Sequence, residues 1–533
     1  MKKFFGLVAF TALLAVSCGE PDEPVLVESA APLLVSTNPA DGAGELTATS
    51  LSVVFTFDQN IKCTREAQAG VTIDGGAAVD QVNAYGTDLT VKVSGLERGK
   101  SYTITLPAGT VQGYKENQKA SQAVTLRFNM KEPDPDPYAD PTLPDNAAVR
   151  RMRELGLGWN LGNQLDAYVN WQSDRYLQPD EEVWGNPKAT QATFNKVKSY
   201  GFTSVRIPVT WLGAIGAAPE YKIDEKWMAR VTEVVGYAHN AGLQVIVNTH
   251  HDENHGDDHW LNLKAAPGNA ALNAQIKEEI TAVWTQIANN FKDCGDWLMF
   301  EGFNELNDGG WGWSEDFRRD PTRQCNVLNE WQQTFVDAVR ATGGNNATRW
   351  LGISTYCANP SFEQYLKMPT DPAGKLMLSV HFYDPSDYTI GEKQYSDWGH
   401  TGDPKRKANG GDEDYVREIF GNLYFKYVAK NVPVYVGEFG CSLRSKSDTR
   451  AWNFFLYYLR FIVKAAKTYG LSCIVWDNGG EDAPGQEHHG YINHGTGAFM
   501  SNGQEPVEAM MTAWKTETDS YTLQSVYDSA PRP

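Results

Sequence analysis

Apolar positions follow two different rhythms along the chain, with a polar break between them. From residue 33 to 130 they alternate with polar ones in short bursts, as in Leu51-Ser52-Val53-Val54-Phe55-Thr56-Phe57, Asp88 to Val93, Tyr102-Thr103-Ile104-Thr105-Leu106 and Val124-Thr125-Leu126-Arg127-Phe128. A period of two puts the apolar side chains on one face of a strand. Gly, Asn and Asp punctuate the bursts at short intervals, so this stretch predicts an all-β sandwich. From residue 146 the texture changes. Apolar runs near 156–160, 203–209, 244–249, 297–303, 350–355, 376–382, 433–437 and 472–477 alternate with amphipathic segments at Lys188–Tyr200, Glu225–Ala241, Ala271–Phe291, Gln324–Ala341, Glu413–Lys430 and Thr449–Tyr469. Eight strands with intervening helices predict an α/β fold, a (β/α)8 TIM barrel, whose active site belongs at the C-terminal ends of the strands.

Residues 131–145 read KEPDPDPYADPTLPD, with five Pro and five Asp or Glu among fifteen. Alternating Pro and acid keeps the backbone extended, with a reach of at most about 45 Å at ~3.1 Å per residue. The expected divisions are residues 1–17 as an export signal, 18–32 as a tether, 33–130 as the sandwich, 131–145 as a linker and 146–533 as the barrel. In the signal, Lys2 and Lys3 precede the apolar run Phe4 to Val16, which is too short to span a bilayer as a helix. Ala15-Val16-Ser17-Cys18 resembles a bacterial lipoprotein cleavage box, which implies that Cys18 is lipidated as the first mature residue. The following Gly19-Glu20-Pro21-Asp22-Glu23 resembles the surface-export signal of some Bacteroidetes lipoproteins. Together they imply an outer-membrane anchor facing the cell surface. Asn38-Pro39-Ala40-Asp41-Gly42-Ala43 at the start of the sandwich resembles the bacterial Ig-like domains of surface-layer proteins, for which a spacer role or carbohydrate binding is expected.

A net charge of −19 over 533 residues argues against nucleic acid or any other polyanion as partner. Aromatics are abundant at 12%, with 16 Trp and 24 Tyr, which fits a surface that stacks on neutral sugar rings. Six cysteines remain after Cys18, at 63, 294, 325, 357, 441 and 473, with no C-x-x-C pair. Buried thiols are expected of them.

The candidate chemistry lies at two strand ends. The fourth apolar run leads into Phe300-Glu301-Gly302-Phe303-Asn304-Glu305, and the seventh into Val436-Gly437-Glu438-Phe439-Gly440. A retaining glycosidase needs such a pair, one carboxylic acid to protonate the departing oxygen and one carboxylate to attack the anomeric carbon. Glu301 is a rival to Glu305, because even spacing along a strand puts both on one face. It is expected to sit deeper in the barrel. The run His250-His251-Asp252-Glu253-Asn254-His255 does not match H-E-x-x-H, and neither metal nor cofactor is expected.

Residues 146–515 resemble glycoside hydrolase family 5. The resemblance rests on Gly158-Trp159-Asn160-Leu161-Gly162-Asn163, Ser204-Val205-Arg206-Ile207-Pro208-Val209, Val247-Asn248-Thr249-His250-His251, Asn304-Glu305, His381-Phe382-Tyr383, Gly437-Glu438-Phe439-Gly440 and Val475-Trp476-Asp477. It implies that Glu305 is the acid/base and Glu438 the nucleophile. Arg206 and Tyr383 would favour the Glu438 anion, and His250, His251 and His381 would orient the carboxylates and bind hydroxyls. Asn163, His250, His251 and Asn304 would bind sugar hydroxyls, and Trp476 would floor the cleavage subsite. Trp171, Trp184, Trp260, Trp311, Trp313 and Trp398 fall in strand-to-helix loops and Trp211 closely follows the second strand. Collectively they suggest a long cleft and endo action, with Trp211 and Trp260 among the sugar contacts. The motifs Trp184-Gly185-Asn186-Pro187, Asn248-Thr249-His250-His251 and Phe300 to Glu305 resemble the subfamily of endo-β-1,4-glucanases, xyloglucanases and lichenases. Leu306 departs from the Pro that commonly follows the acid/base. The expected substrate is a β-glucan cleaved by a monomeric enzyme. A β-mannanase or glucomannanase, and a non-catalytic surface glycan-binding lipoprotein, are the alternatives.

Overall fold

The computed structural model describes residues 30–115, 119–132, 140–169, 178–253, 259–391, 395–481 and 487–532. Cys18 and the other residues before 30, Trp171, and residues 254–258 of the histidine-rich loop lie outside them. The chain divides into two compact units, Met1–Pro135 and Asp136–Pro533.

The first unit is a sandwich of two four-stranded sheets. One carries Leu34–Asn38, Ser50–Phe57, Asp88–Ser94 and Ala78–Tyr85 in that order, and the other Ala43–Leu46, Val124–Met130, Ser101–Leu106 and Thr72–Ile73. The alternation predicted from sequence is realised: Val53, Phe55 and Phe57 face inward with Leu89, Val91, Ile104, Leu126 and Phe128, all essentially inaccessible to water.

In the second unit eight parallel strands close into a barrel. They are β1 (Leu157–Asn160), β2 (Ser204–Ile207), β3 (Gln244–Asn248), β4 (Leu298–Glu301), β5 (Leu351–Ser354), β6 (Leu376–Phe382), β7 (Val434–Phe439) and β8 (Ser472–Val475). Each falls within or beside an apolar run named above, and nearly every strand residue is buried, as parallel strands covered on both faces require. Two layers follow from the period of two. Side chains such as Val205, Val247, Phe300 and Leu378 point outward to the helices. Ile246, Met299, Met377, Tyr435 and Ile474 fill the barrel's interior together with Met152 and Leu155. Those last two come from the helix Ala147–Leu155, which caps the barrel and which sequence reading did not anticipate.

Two expectations need correction. Residues 140–145, which the proline pattern assigns to the linker, are docked on the barrel. Leu143 packs against its core, the Thr142 carbonyl accepts from the Tyr424 hydroxyl at 3.2 Å, and Asp140 pairs with Arg417 at 3.1 Å. Trp398 is not a cleft residue: it is 1% exposed and packs on Tyr457, Tyr458 and Phe461. The six cysteines named above are free thiols, four of them buried.

Candidate active site

One step above the apolar interior layer, strand parity brings polar side chains inward at the C-terminal end of the barrel. Asn160 follows Gly158 on β1, Arg206 follows Ser204 on β2, Asn248 follows Ile246 on β3, and Glu301 follows Met299 on β4. Ser379 and His381 follow Met377 on β6. All are buried, so each must find its partners inside the protein.

Arg206 organises this layer. Its Nη1 donates to Glu438 Oε1 at 2.6 Å and to Asn160 Oδ1 at 3.1 Å. Its Nη2 donates to Glu301 Oε1 and to Asn304 Oδ1, both at 2.7 Å. Glu301 also accepts from Tyr435 Oη at 2.6 Å, Ser379 Oγ at 3.1 Å and Asn248 Nδ2 at 3.1 Å. Burial alone would raise its pKa, yet the Arg206 charge and hydrogen bonds outweigh that and hold it below the ordinary glutamate value. With no exposure and four donor residues, Glu301 is a structural anion. It lies deeper than Glu305, as its position on the strand predicts.

Glu438 reaches the rim through a break in the alternation. On β7, Tyr435 points in and Val436 points out, so strict parity would aim Glu438 outward. Instead the register shifts at this point against both neighbours: Val380 pairs with Val436 but His381 pairs with Glu438, and on the β8 side the shift falls between Val436 and Phe439. Gly437 takes up the extra position. A side chain there would press on Ser379 Oγ and His381 Nε2 at 3.1 and 3.2 Å. The bulge turns Glu438 inward and returns Phe439 to the helix face, which is the common use of bulges beside active sites.

The two rim carboxyls receive different partners. Glu438 accepts from Arg206 and from the Tyr383 hydroxyl at 3.0 Å. Burial raises its pKa, and the Arg206 charge opposes that rise. Burial also keeps Tyr383 protonated as a donor, helped by the Glu438 charge. Among the described residues, the Glu305 carboxyl is hydrogen-bonded to His381, with Nδ1 and Oε1 2.7 Å apart. Its pKa is pushed up to about 8, first by burial and then by the charge of Glu253. Burial drops His381 to about 4, so the ring is neutral. The contact therefore serves both states of Glu305: the acid O–H donates to Nδ1, or Nδ1–H donates to the carboxylate. Oxygens of Glu305 and Glu438 and a ring nitrogen of His381 all lie within 4.8 Å of one another. One carboxyl is thus poised to hold a proton and the other is bound by the Arg206 cation, across a gap of a single bond-breaking site.

These groups open into a cleft of about 890 Å³. Of the residues singled out from sequence, Asn163, His250, His251, Asn304, Glu305, His381, Tyr383, Glu438 and Trp476 line it. Arg206 sits directly beneath. Asn304 spends its carbonyl oxygen on Arg206, which leaves its amide N–H groups for a ligand. The Trp476 ring lies parallel to that of His250, 5.7 Å away, and a side chain at Gly162 would collide with it at 2.8 Å. His250 and His251 meet neither catalytic carboxylate. His250 contacts Asn248, and His251 approaches Asp166 and Glu253 at 3.8 Å each. Burial would lower the His251 pKa, but the neighbouring carboxylates of Glu253 and Asp166 raise it to about 9.

Two predicted sugar contacts are elsewhere. Trp211 is wholly buried, and its indole N–H donates to the Asn248 carbonyl at 3.0 Å. Trp260 donates to Asp252 at 2.8 Å and packs on the core. Both were placed by nearness to a strand end, and both instead fasten loops. Asp166, Cys357, Asn359, Asn478 and Glu487 were not anticipated. Cys357, Asn359, Asn478 and Glu487 line the cleft, and Asp166 holds the backbone of Asn163 and Gln164 beneath it. Asp166 lies three residues after Asn163, and a short acceptor following a polar turn was the one available signal.

Comparison with known proteins matches the same two units. Residues 165–482 match the cellulase model, glycosyl hydrolase family 5, and residues 28–130 match a bacterial Ig-like domain. Endoglucanase A of Paenibacillus barcinonensis is 36% identical over 347 residues, covering 62% of this chain and 82% of that protein. Among solved structures, a native Bacteroidetes-affiliated GH5 cellulase linked with a polysaccharide utilization locus is 44% identical with a TM-score of 0.68, covering 74% of this chain and 99% of the other. The GH5-4 broad specificity endoglucanase from Bacteroides salanitronis is 47% identical with a TM-score of 0.66, covering 70% and 97%. A family 5 xyloglucanase from Paenibacillus pabuli is 35% identical with a TM-score of 0.62, covering 68% and 100%.

Proposed function

Since the chain belongs to glycosyl hydrolase family 5, we propose that it is a retaining endo-β-1,4-glucanase acting on β-glucans of the cellulose, xyloglucan or mixed-linkage type by double displacement, with Glu438 as nucleophile and Glu305 as acid/base. The observation that carries this reading is the spacing of the two carboxyls. An inverting enzyme separates them by roughly 6.5–9.5 Å to admit a water, whereas a retaining one needs about 5–5.5 Å. Here their oxygens approach within 4.8 Å. Glu438 attacks the anomeric carbon while the protonated Glu305 donates to the leaving oxygen. Glu305, now a base, then activates the water that releases the sugar from Glu438. The Asn304 amide is placed to donate to the 2-hydroxyl, and Trp476 to stack beneath the ring.

Digestion of xyloglucan, mixed-linkage β-glucan, carboxymethylcellulose and glucomannan tests this. The expected result is mid-chain cleavage of the glucans, with the β-anomer formed first by NMR. A first-formed α-anomer would refute retention, and cleavage confined to glucomannan would replace the glucanase reading with the mannanase one.

We further propose that the enzyme is an outer-membrane lipoprotein, anchored through Cys18, facing the cell surface and acting as a monomer. The basic start, the apolar run ending at Ala15-Val16-Ser17-Cys18 and the acidic stretch after it support this. Cys18→Ala is expected to move the protein from the membrane to the soluble fraction. Continued membrane partition of that variant would remove the anchor from the account.

A further inference from the structure

Large apolar side chains are rarely left in water by the described residues, and two exceptions stand together in the cleft. Trp313 is 78% exposed and Trp311 48% exposed, and both line the wall beyond Glu305. They lie on the loop that follows β4, and this loop is built rather than loose. Asp308, itself 6% exposed, accepts from the Tyr356 hydroxyl at 2.9 Å, from the Gly310 N–H at 3.0 Å and from the Ser314 hydroxyl. The Tyr356 hydroxyl in turn accepts from the Asp308 N–H at 3.0 Å. Gly312 has φ +83° and sits so close to the Phe362 ring that a side chain would clash at 2.4 Å. Under the loop, Phe317 stacks on Tyr356 at 4.1 Å and meets Phe362 edge-on at 5.0 Å. Two indoles are thus held up to solvent by a buried carboxylate and an aromatic bed.

We propose that this loop is a preformed platform for the leaving-group half of the glucan, with Trp313 stacking on a sugar beyond the cleavage point and Asp308 as the positioning residue that holds the platform up. The inference rests on the retaining-glucanase reading. The side of the cleft follows from the chemistry. The bond that breaks lies between the anomeric carbon, reached by Glu438, and the oxygen, reached by Glu305. Trp476, Asn163 and His250 come from β8, β1 and β3 and surround the ring that Glu438 attacks. Trp311 and Trp313 follow β4 beyond Glu305, so they face whatever departs with the oxygen. A rigid aromatic face suits this task, because stacking on a sugar ring gains apolar contact without ordering a flexible side chain at the moment of binding. The same face would hold an incoming sugar acceptor while the glycosyl group is on Glu438.

The test compares cellohexaose with an aryl β-cellobioside, whose leaving group extends no further than the first position past the cleavage point. In Trp313→Ala the ratio of kcat/KM on cellohexaose to kcat/KM on the aryl substrate is expected to fall roughly tenfold, as for losing one covered ring. Trp313→Phe should recover most of the ratio. Asp308→Asn should lower it in the same direction, which a fold defect that slows both substrates equally would not do. A ratio within twofold of wild type in Trp313→Ala, or an equal loss on both substrates, would overturn the platform. Wild-type protein inert on both substrates would instead refute the glucanase reading on which it rests.

Discussion

Glu438→Gln is expected to reduce kcat/KM on glucans by a factor on the order of 10⁴ or more, about 5 kcal/mol of transition-state stabilisation, in a protein that still folds and still binds glucan. The amide has nearly the shape of the carboxylate but cannot attack the anomeric carbon. The loss is therefore chemical, and affinity for an immobilised glucan should persist. Folding survives because of how the charge is shared. Arg206 is wholly buried, and an unpaired charge there would be strongly destabilising. It has two anionic partners, Glu438 at 2.6 Å and Glu301 at 2.7 Å. Removing the charge of Glu438 leaves the Arg206–Glu301 pair neutral and hydrogen-bonded. Turnover within tenfold of wild type would remove Glu438 from the nucleophile role. Loss of folding would show that Glu301 cannot hold Arg206 alone.

That division between a structural and a chemical carboxylate was legible in the sequence at Glu301. Parity places it on the Met299 face, and nothing between Met299 and Glu301 disturbs the count. The same count fails at Glu438, because the bulge at Gly437 is a property of pairing with β6 and β8, and no local pattern announces it. The motif around Glu438 located the residue where alternation alone would have turned it away. The eight strands were readable because parallel strands are apolar on both faces and bounded by helices. The capping helix Ala147–Leu155 was not, since it is short and follows a proline-rich tract. Tryptophan was the least transparent residue. Trp211 and Trp398 sit in loops by sequence, yet both are fully buried. A loop tryptophan can fasten the loop to the barrel as readily as face a ligand, and only its neighbours decide. Trp311 and Trp313 differ: their loop is fastened by Asp308 to Gly310, Ser314 and Tyr356, and both rings stay exposed.

Removing the acid/base should produce a different signature from removing the nucleophile. In Glu305→Ala, hydrolysis of glucans is expected to fall by roughly 10³-fold, within the range that a positioned proton donor contributes. The loss should be far smaller for the first step on an aryl β-cellobioside with a strongly acidic phenol, because that leaving group departs without a proton. Attack by Glu438 then continues, but no base remains to activate water, so the glycosyl-enzyme accumulates after a burst of phenol. Azide, which needs no base, should restore turnover and give a β-glycosyl azide, the configuration that a second displacement at Glu438 requires. The pH profile carries the same assignment. Glu305 must be protonated when substrate binds, and burial places its pKa at about 8. In the wild type kcat/KM should therefore fall as pH rises through about 8, and this alkaline limb should vanish for the aryl substrate in Glu305→Ala. An unchanged alkaline limb in the variant would assign the proton to another group, and a glycosyl azide of inverted configuration would remove Glu438 from the nucleophile role; Glu301, ionised and locked to Arg206, has no proton to give.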